Sequence, residues 1–329
     1  MHQSALDDRH DRRSIRASGG RIPSLVQRNH VSPSLGTIRR VRHLNCGTFR
    51  PFRMPEFVSH VLLCEYEHGV VLVDVGLGRD DVAHPYRRLG LGAKGVRPVL
   101  SADEPAAVQL HALGIAETDV SMIVATHLDY DHIGGAADFP TATVHVTGTE
   151  LDAARRRPSL RERSRYRPVH IGAIDGRVQA HTAEPTATIV GFRAYPLDQG
   201  ENLYLIPMPG HTAGHAMVAV HDPDRGWLIH AGDAFMHGSV LRPERARRDE
   251  RTAQRAERML AWNASALNPN HSALRDAAAR PDLRVFCSHD RTQFDALVAE
   301  SKQLARPRHR TVATDAPVEP PARQKETPP

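Results

Sequence analysis

Short apolar runs and helical patterns alternate along the middle of the chain. Runs rich in β-branched and aliphatic residues predict strands at residues 57–65, 70–75, 121–126, 142–147, 203–208, 215–221, 227–231 and 284–287. Helical periodicity and composition predict helices at residues 104–113, 149–156, 242–266 and 293–304. Strands in pairs with helices between them favour a layered α/β fold, because each apolar sheet face has to be covered.

The two ends of the chain show neither the alternation of apolar and polar residues typical of strands nor the helical period of about 3.6 residues. Residues 1–38 are polar, rich in arginine and interrupted by glycine and proline, and residues 306–329 are rich in proline. Such segments hold too few apolar side chains to offset the entropy cost of ordering. We therefore expect a disordered Arg-rich leader at residues 1–38, a folded domain at residues 39–305 and a disordered Pro-rich tail at residues 306–329.

The composition of the 329 residues, with 40% hydrophobic and 25% charged side chains, is typical of a globular protein with a sizeable core. No apolar run approaches the roughly 20 residues of a membrane span, so we expect no membrane-embedded part. The net charge of +5 comes from the ends, since residues 1–40 carry +5 and residues 306–329 carry +2. The residues between them carry −2, which argues against a nucleic-acid partner.

The three cysteines, Cys46, Cys64 and Cys287, lie far apart in the sequence. This spacing matches neither a disulfide framework nor a thiolate metal site. The N-terminal region also lacks the apolar stretch that a secretory signal has after its basic start. Together these features predict a protein of the reducing cytoplasm.

Aspartate and histidine residues follow apolar runs in five segments of the folded region. In chain order they are Asp74; His127, Asp129, Asp131 and His132; His211; Asp233; and His289. The second segment holds four such groups within six residues, directly after the apolar run 122–125. Burying so many uncompensated polar groups is costly, and a divalent cation is the usual compensation. Because loops at strand ends gather functional groups, the segments predict a metal site.

This ordered set resembles the metallo-β-lactamase superfamily, with its pattern of Asp, His-x-His-x-Asp-His, His, Asp and His. The match spans about residues 41–290. The forms His-Leu-x-x-Asp-His-x-Gly-Gly, Pro-Gly-His-Thr-x-Gly-His and Ser-His-Asp are similar to the N-acyl-homoserine lactonase branch. The resemblance implies a four-layer αββα sandwich with a dinuclear metal site.

Carried over position by position, the resemblance implies a role for each donor. The ligands of the first metal would be His127, Asp129 and His211. The ligands of the second metal would be Asp131, His132 and His289. Asp233 would bridge the two metals, and Asp74 would orient a ligand histidine through its ring N–H.

We expect two divalent metal ions, most simply zinc, and a pair of such ions that activates water would make the chain a hydrolase. Sharing a water between them lowers its pKa towards about 7 and gives a hydroxide nucleophile at neutral pH. Asp131 is then placed to take or return a proton. The predicted reaction is cleavage of an ester-like bond, in a lactone or another neutral acyl substrate.

Position 129 departs from the family pattern, because the expected histidine is Asp129. A carboxylate is a harder ligand than imidazole and shifts the preference of the first site from zinc towards manganese or iron. It also brings the net charge of two dications, three aspartates and a hydroxide to about zero, where a histidine would leave about +1. This charge count favours a neutral acyl substrate over a phosphodiester.

The lactonase branch often has a tyrosine three residues after the bridging aspartate, where this chain has Met236. His237 and Tyr166 are the candidates for replacing its contact with the substrate carbonyl. Tyr166 belongs to an arginine-rich stretch, residues 155–167, which is either a solvated helix face or a site for an anionic substrate group.

Other functions stay open at this point. A phosphodiesterase or ribonuclease-like member would use the basic segments to bind RNA. An iron redox member and a non-catalytic member of the same fold are further alternatives. The expected partner is a small-molecule substrate, and a homodimer is one option for the assembly.

Overall fold

The computed structural model describes residues 34–91 and 93–304. The predicted tail and most of the predicted leader lie outside the described residues. The first strand begins at Ile38, one residue before the predicted start of the domain. Leu35 is also buried, in the cluster that fills the space between the sheets.

Strands form two sheets whose order follows the chain. The first sheet contains β1 (Ile38–Phe49), β2 (Phe57–Tyr66), β3 (Gly69–Val73), β4 (Val120–Val124), β5 (Thr143–Thr147) and β6 (Val178–His181). The second contains β7 (Ala187–Ile189), β8 (Phe192–Pro196), β9 (Leu203–Pro207), β10 (Ala216–Asp222), β11 (Gly226–His230) and β12 (Leu283–Phe286). Each sheet mixes antiparallel hairpins with parallel pairs, which are β3–β4, β4–β5 and β5–β6 in the first and β11–β12 in the second.

Helices connect the strands. The α-helices are α1 (Arg79–Ala83), α2 (Pro85–Arg88), α3 (Ala93–Val96), α4 (Ala106–Ala112), α5 (Tyr130–Ile133), α6 (Gly148–Arg156), α7 (Leu160–Arg165), α8 (Pro168–Ile174), α9 (Arg248–Leu260), α10 (Ala264–Ala278) and α11 (Arg291–Leu304). Short 3-10 helices lie at Glu117–Asp119, Gly134–Asp138, Gly238–Leu241 and Pro243–Arg245.

Alternation of side chains along the strands produces the layers. In β4, Met122 and Val124 face the cluster between the two sheets, whereas Ile123 faces α4, α6 and α8 on the outer side. In β10, Val218 faces the same inner cluster and Met217 faces the outer cluster that includes Leu274 of α10. Helix, sheet, sheet and helix therefore stack in the order that the αββα prediction requires, and the predicted fold class is confirmed.

The predicted strands are all present, but β1, β6, β7 and β8 were not predicted. Strand β1 shows why, since its pairing with β2 has irregularities between Ile38 and Arg40 and between Asn45 and Thr48. Each bulge shifts the apolar alternation by one residue, so the pattern in the sequence no longer has a period of two.

The predicted helix at 242–266 is wrong as a single element. Helix α9 ends at Leu260 and α10 begins at Ala264. Between them the backbone turns inwards, where the N–H of Trp262 donates to the carbonyl of His211 at 2.8 Å and the N–H of Asn263 to that of Gly210 at 2.9 Å. The break thus supports the loop that carries His211.

In the described part of the chain, the helices are too short or too polar to cross a membrane.

Gly76 fixes the turn that follows Asp74. Its φ is +63°, and a Cβ there would overlap the carbonyl oxygen of Cys46. We expect Gly76→Ala to lower the free energy of unfolding by about 2 kcal/mol or more, because left-handed backbone and overpacking both add cost. Chemical denaturation measures this. Gly95→Ala is the control, since a Cβ there meets nothing within 4 Å, and an equal loss in both variants would contradict the explanation.

Candidate metal centre

The five predicted segments meet at one end of the two sheets. Asp74 follows β3 and the segment 127–132 follows β4, a parallel neighbour of β3. Asp233 follows β11 and His289 follows β12, again a parallel pair. His211 lies on the loop between β9 and β10. Since the carboxyl ends of parallel strands lie at one edge of a sheet, the topology brings these loops together.

Asp233 lies at the centre of the group. Its Oδ2 is 3.0 Å from Nε2 of His289, 3.4 Å from Nε2 of His211 and 4.0 Å from Nε2 of His127. Its Oδ1 is 3.4 Å from Nε2 of His132. One carboxylate therefore faces four imidazoles that come from three separate loops.

The donor atoms form overlapping triplets in which every atom lies within 4.8 Å of the others. These triplets are His127, Asp129 and His211; His127, His132 and Asp233; and Asp131, His132 and His289. The first and third triplets hold the residues that the resemblance divided between two metals. The structure thus brings all seven predicted ligands together.

Several of these buried atoms have no hydrogen-bond partner among the described residues. They are Nε2 of His127, Oδ1 of Asp129, Nε2 of His132 and Oδ1 of Asp233. Buried polar atoms are normally paired, so this concentration of unpaired ones in one crevice calls for an external partner. Imidazole nitrogens and carboxylate oxygens together suit a divalent transition metal.

Asp74 sits behind the crevice and contacts the rings from the far side. Its Oδ2 accepts a hydrogen bond from Nδ1 of His132 at 2.9 Å and another from Oγ1 of Thr126 at 2.8 Å. Thr126 in turn accepts from Nδ1 of His127 at 3.0 Å. Both rings therefore donate from Nδ1 and direct Nε2 into the crevice, the orientation that ligand histidines have.

Backbone contacts fix two more imidazoles, those of His289 and His215. His289 donates from Nδ1 to the carbonyl of Val58 at 2.8 Å, which directs its Nε2 towards Asp233. His215 donates from Nδ1 to the carbonyl of Met208 at 3.0 Å and accepts the Asp233 N–H on Nε2 at 2.9 Å. His215 thus has both nitrogens satisfied and holds the backbone of Asp233.

The charges in the crevice stabilise one another in the metal-free protein. Burial opposes ionisation of Asp233, but His289 and His132 hold the pKa of its carboxyl well below the usual range. Burial lowers the pKa of His132, yet the carboxylates of Asp233, Asp74 and Asp131 outweigh it and raise that pKa to about 10. A proton on His132 therefore supplies part of the positive charge that a bound cation would place beside these carboxylates.

Glu150 was missed by the sequence analysis. It is fully buried at the start of α6, where Oε1 accepts from the N–H of Leu128 at 3.0 Å. Oε2 accepts from Oγ1 of Thr212 at 2.6 Å and from the N–H of Gly214 at 3.1 Å. Glu150 thereby joins the loop of His127 to the loop of His211. In the sequence it looks like an ordinary N-terminal helix residue.

Arg165 was also missed. Its side chain is 9% exposed, and Nη1 lies 3.4 Å from Oδ2 of Asp129. It belongs to the arginine-rich stretch, but its side chain is buried against the crevice instead of lying on a solvated helix face. Its charge was absent from the sequence-based count, so the net charge becomes about +1 rather than about zero. A net charge of about +1 does not favour a neutral acyl substrate over a phosphodiester, so the expectation drawn from the charge of the site was wrong.

The two weaker substrate candidates lie in buried surroundings. Tyr166 is 1% exposed and packs in the cluster outside the first sheet. His237 is also buried, and its Nδ1 accepts from the N–H of Ser239 at 3.1 Å while Nε2 lies 3.7 Å from Asp290. A direct contact of either residue with substrate stays a prediction.

Metal binding should release protons. In the metal-free protein His132, with a pKa of about 10, is protonated at neutral pH, and only its neutral form binds a metal. We expect zinc affinity to rise between pH 6 and pH 8, by up to about tenfold per pH unit for each proton displaced. Calorimetry in two buffers of different ionisation enthalpy measures the protons released. An affinity that does not change with pH would contradict this charge assignment.

Removing the Glu150 carboxylate should loosen both loops. We expect Glu150→Ala to weaken metal binding by about ten- to a hundredfold and to lower the free energy of unfolding by about 2–3 kcal/mol, since three buried donors lose their acceptor. Asp152→Ala on the same helix is the control, because Asp152 is exposed and forms an ion pair with the exposed Arg156. Equal metal affinity in both variants would show that Glu150 does not position the ligands.

Comparisons with known proteins identify the family of the chain. The model of the metallo-beta-lactamase superfamily matches residues 54–289. A "probable metallo-hydrolase" of Mycobacterium tuberculosis is 42% identical over 254 residues, which cover 76% of this chain and 80% of that protein. An N-acyl homoserine lactonase of Bacillus cereus is 23% identical over 189 residues, covering 57% of this chain and 68% of the lactonase.

Solved structures show the same fold. An N-acyl homoserine lactone hydrolase with its product N-hexanoyl-L-homoserine at the catalytic metal center superposes with a TM-score of 0.59 at 17% identity, over 79% of this chain and 96% of that one. A probable metal-dependent hydrolase from Staphylococcus aureus gives a TM-score of 0.57 at 15% identity, over 78% and 91%. With the family model covering most of the described residues, the chain belongs to the metallo-β-lactamase superfamily of metallo-hydrolases.

Proposed function

We propose that this protein is a dinuclear metal-dependent hydrolase that cleaves an ester-like bond, in a lactone or another acyl substrate. The observation that carries the proposal is the position of Asp233, whose two oxygens lie between 3.0 and 4.0 Å from four imidazole nitrogens. A carboxylate in that position can contact a cation on each side, which is the arrangement of a two-metal site.

The donors divide between the two positions according to the triplets. We assign His127, Asp129 and His211 to the first ion and Asp131, His132 and His289 to the second, with Asp233 between them. Zinc fits a set dominated by imidazole, and the Asp129 carboxylate makes manganese or iron an alternative at the first position. Asp74 orients His132 directly and His127 through Thr126.

Divalent ions bound here would lower the pKa of a shared water and polarise the carbonyl of the substrate. The protein supplies the proton transfers. Asp131 has the most accessible of the ligand carboxylates, with 19% of its side chain exposed against 11% for Asp129 and 3% for Asp233. We therefore assign to Asp131 the removal of a proton from water and its return to the leaving group.

The choice of an acyl substrate rests on the relatives. The lactonase of Bacillus cereus and the hydrolase whose structure holds N-hexanoyl-L-homoserine both act on N-acyl homoserine lactones, as their names state. Met236 takes the position of the lactonase tyrosine and packs in an apolar cluster with Phe49 and Leu77, where it can donate no hydrogen bond. The proposal accordingly covers lactones and esters as a class rather than acyl-homoserine lactones alone.

Metal content and substrate preference test the proposal together. Protein purified without chelator should hold about two divalent ions per chain, and it should hydrolyse lactones or aryl esters at least about tenfold faster than an aryl phosphodiester. Chelation should abolish the activity and added metal should restore it.

Asp233→Asn is the matched variant, since it keeps the shape of the side chain and removes its charge. We expect it to lose about one ion per chain together with most of the activity. Fewer than about two ions in the unmodified protein, or a preference for the phosphodiester, would refute the proposed function.

A further inference from the structure

A buried arginine contacts the first metal position from behind. Besides its 3.4 Å approach to Asp129, Arg165 donates from Nη1 to the carbonyl of His211 at 3.2 Å and from Nη2 to the carbonyl of Leu260 at 2.8 Å. Asp129 and His211 are two of the three donors of the first triplet. One guanidinium therefore connects the side chain of one candidate ligand to the backbone of another.

Charge explains why an arginine stands here. A histidine at position 129 would be neutral, whereas the carboxylate of Asp129 brings a negative charge into a crevice that already holds Asp131 and Asp233. An isolated buried guanidinium is as unfavourable as an isolated carboxylate, so each of the two residues requires the other. Together they have the net charge of a neutral imidazole.

We propose that Asp129 and Arg165 form one functional unit that takes the place of the family's histidine at the first metal position. Arg165 is the positioning residue of this unit. It holds the carboxylate of Asp129 and the backbone of His211, and it restores the positive charge that the carboxylate removes. The role towards metal rests on the proposed function, whereas the pairing of the two residues does not.

The surrounding elements are arranged to keep Arg165 in place. It is the last residue of α7, and Arg161, one turn earlier on the same helix, donates from Nη1 to the carbonyl of Ala261 at 2.6 Å. The next N–H along that segment, from Trp262, donates to the carbonyl of His211. Helix α7, the end of α9 and the loop of His211 thus form one hydrogen-bonded assembly around the guanidinium.

A double-mutant cycle tests the proposal, using Asp129→His, Arg165→Met and the two combined. The unit predicts that Arg165→Met has opposite effects in the two backgrounds. With Asp129 present it should weaken binding of the more weakly held zinc ion by about tenfold or more and lower the Tm of the metal-free protein. In the D129H background the same substitution should tighten that ion by about tenfold or more and raise the Tm by roughly 5–10 °C.

Zinc affinity is measured by competition with a chromophoric chelator, and the Tm of chelator-treated protein by circular dichroism. An arginine that only supports the fold would make Arg165→Met harmful in both backgrounds, which would overturn the proposal. The Tm cycle needs no metal and no substrate. If the unmodified protein bound fewer than about two ions, the proposed function would fail. A change in Tm on Arg165→Met that is negative with Asp129 and positive with D129H would still establish the paired unit.

Two further variants separate charge from anchoring. Arg165→Lys keeps the positive charge but loses the planar guanidinium group that donates to two carbonyls at once. Its zinc affinity should therefore lie between those of the unmodified protein and R165M. Equal affinity in R165K and R165M would overturn the role of the charge.

Arg161→Met removes the neighbouring hydrogen bond from α7 to the carbonyl of Ala261, at the end of α9, and leaves the contacts of Arg165 with Asp129 and His211 in place. It should leave zinc affinity within about threefold, and a loss equal to that of R165M would show that the contact between helices alone matters.

Discussion

The structure depends on placing several carboxylates and several imidazoles close together in one largely buried crevice. The carboxylate of Asp233 is buried among four imidazoles, with Asp129 and Asp131 close by. Removing these groups from water would be costly if they stayed unpaired, and several of their atoms have no partner within the described residues. Cations bound between them would offset the repulsion among the carboxylates and supply partners for the imidazole nitrogens. The residues around the crevice serve this arrangement.

Support for the donors comes from three directions. Asp74 and Thr126 fix the rings of His132 and His127 from the end of the first sheet. His215 holds the backbone of Asp233, and Glu150 joins the loops that carry His127 and His211. Because every such contact comes from a neighbouring strand end or helix start, the αββα sandwich sets the donor geometry through short and rigid connections.

Much of this was visible in the sequence for a physical reason. Strands β2, β3, β4 and β10 are buried and apolar, so their runs stand out, and the donors follow them directly. Their order along the chain was enough to identify the family and the set of donor side chains that meet in the crevice. The sequence analysis failed where bulges interrupted the alternation of β1, and where the break after Leu260 depended on hydrogen bonds to a distant loop.

Arg165 and Glu150 could not have been found from local patterns. Each lies on a helix among other charged residues and differs from them only in burial, which is set by the tertiary fold. A charged residue in such a position has the same local sequence whether it faces solvent or a metal centre. The departure at Asp129 was the one available signal, since a new buried carboxylate implies a compensating cation somewhere in the fold.

The central claim is that the donors around Asp233 hold two cations. Anomalous diffraction from crystals grown with zinc, collected above and below the zinc edge, tests it most directly. We expect two peaks roughly 3.5–4 Å apart, one beside Asp129 and one beside Asp131, with the carboxylate of Asp233 between them. A single peak, or peaks away from Asp233, would contradict the account.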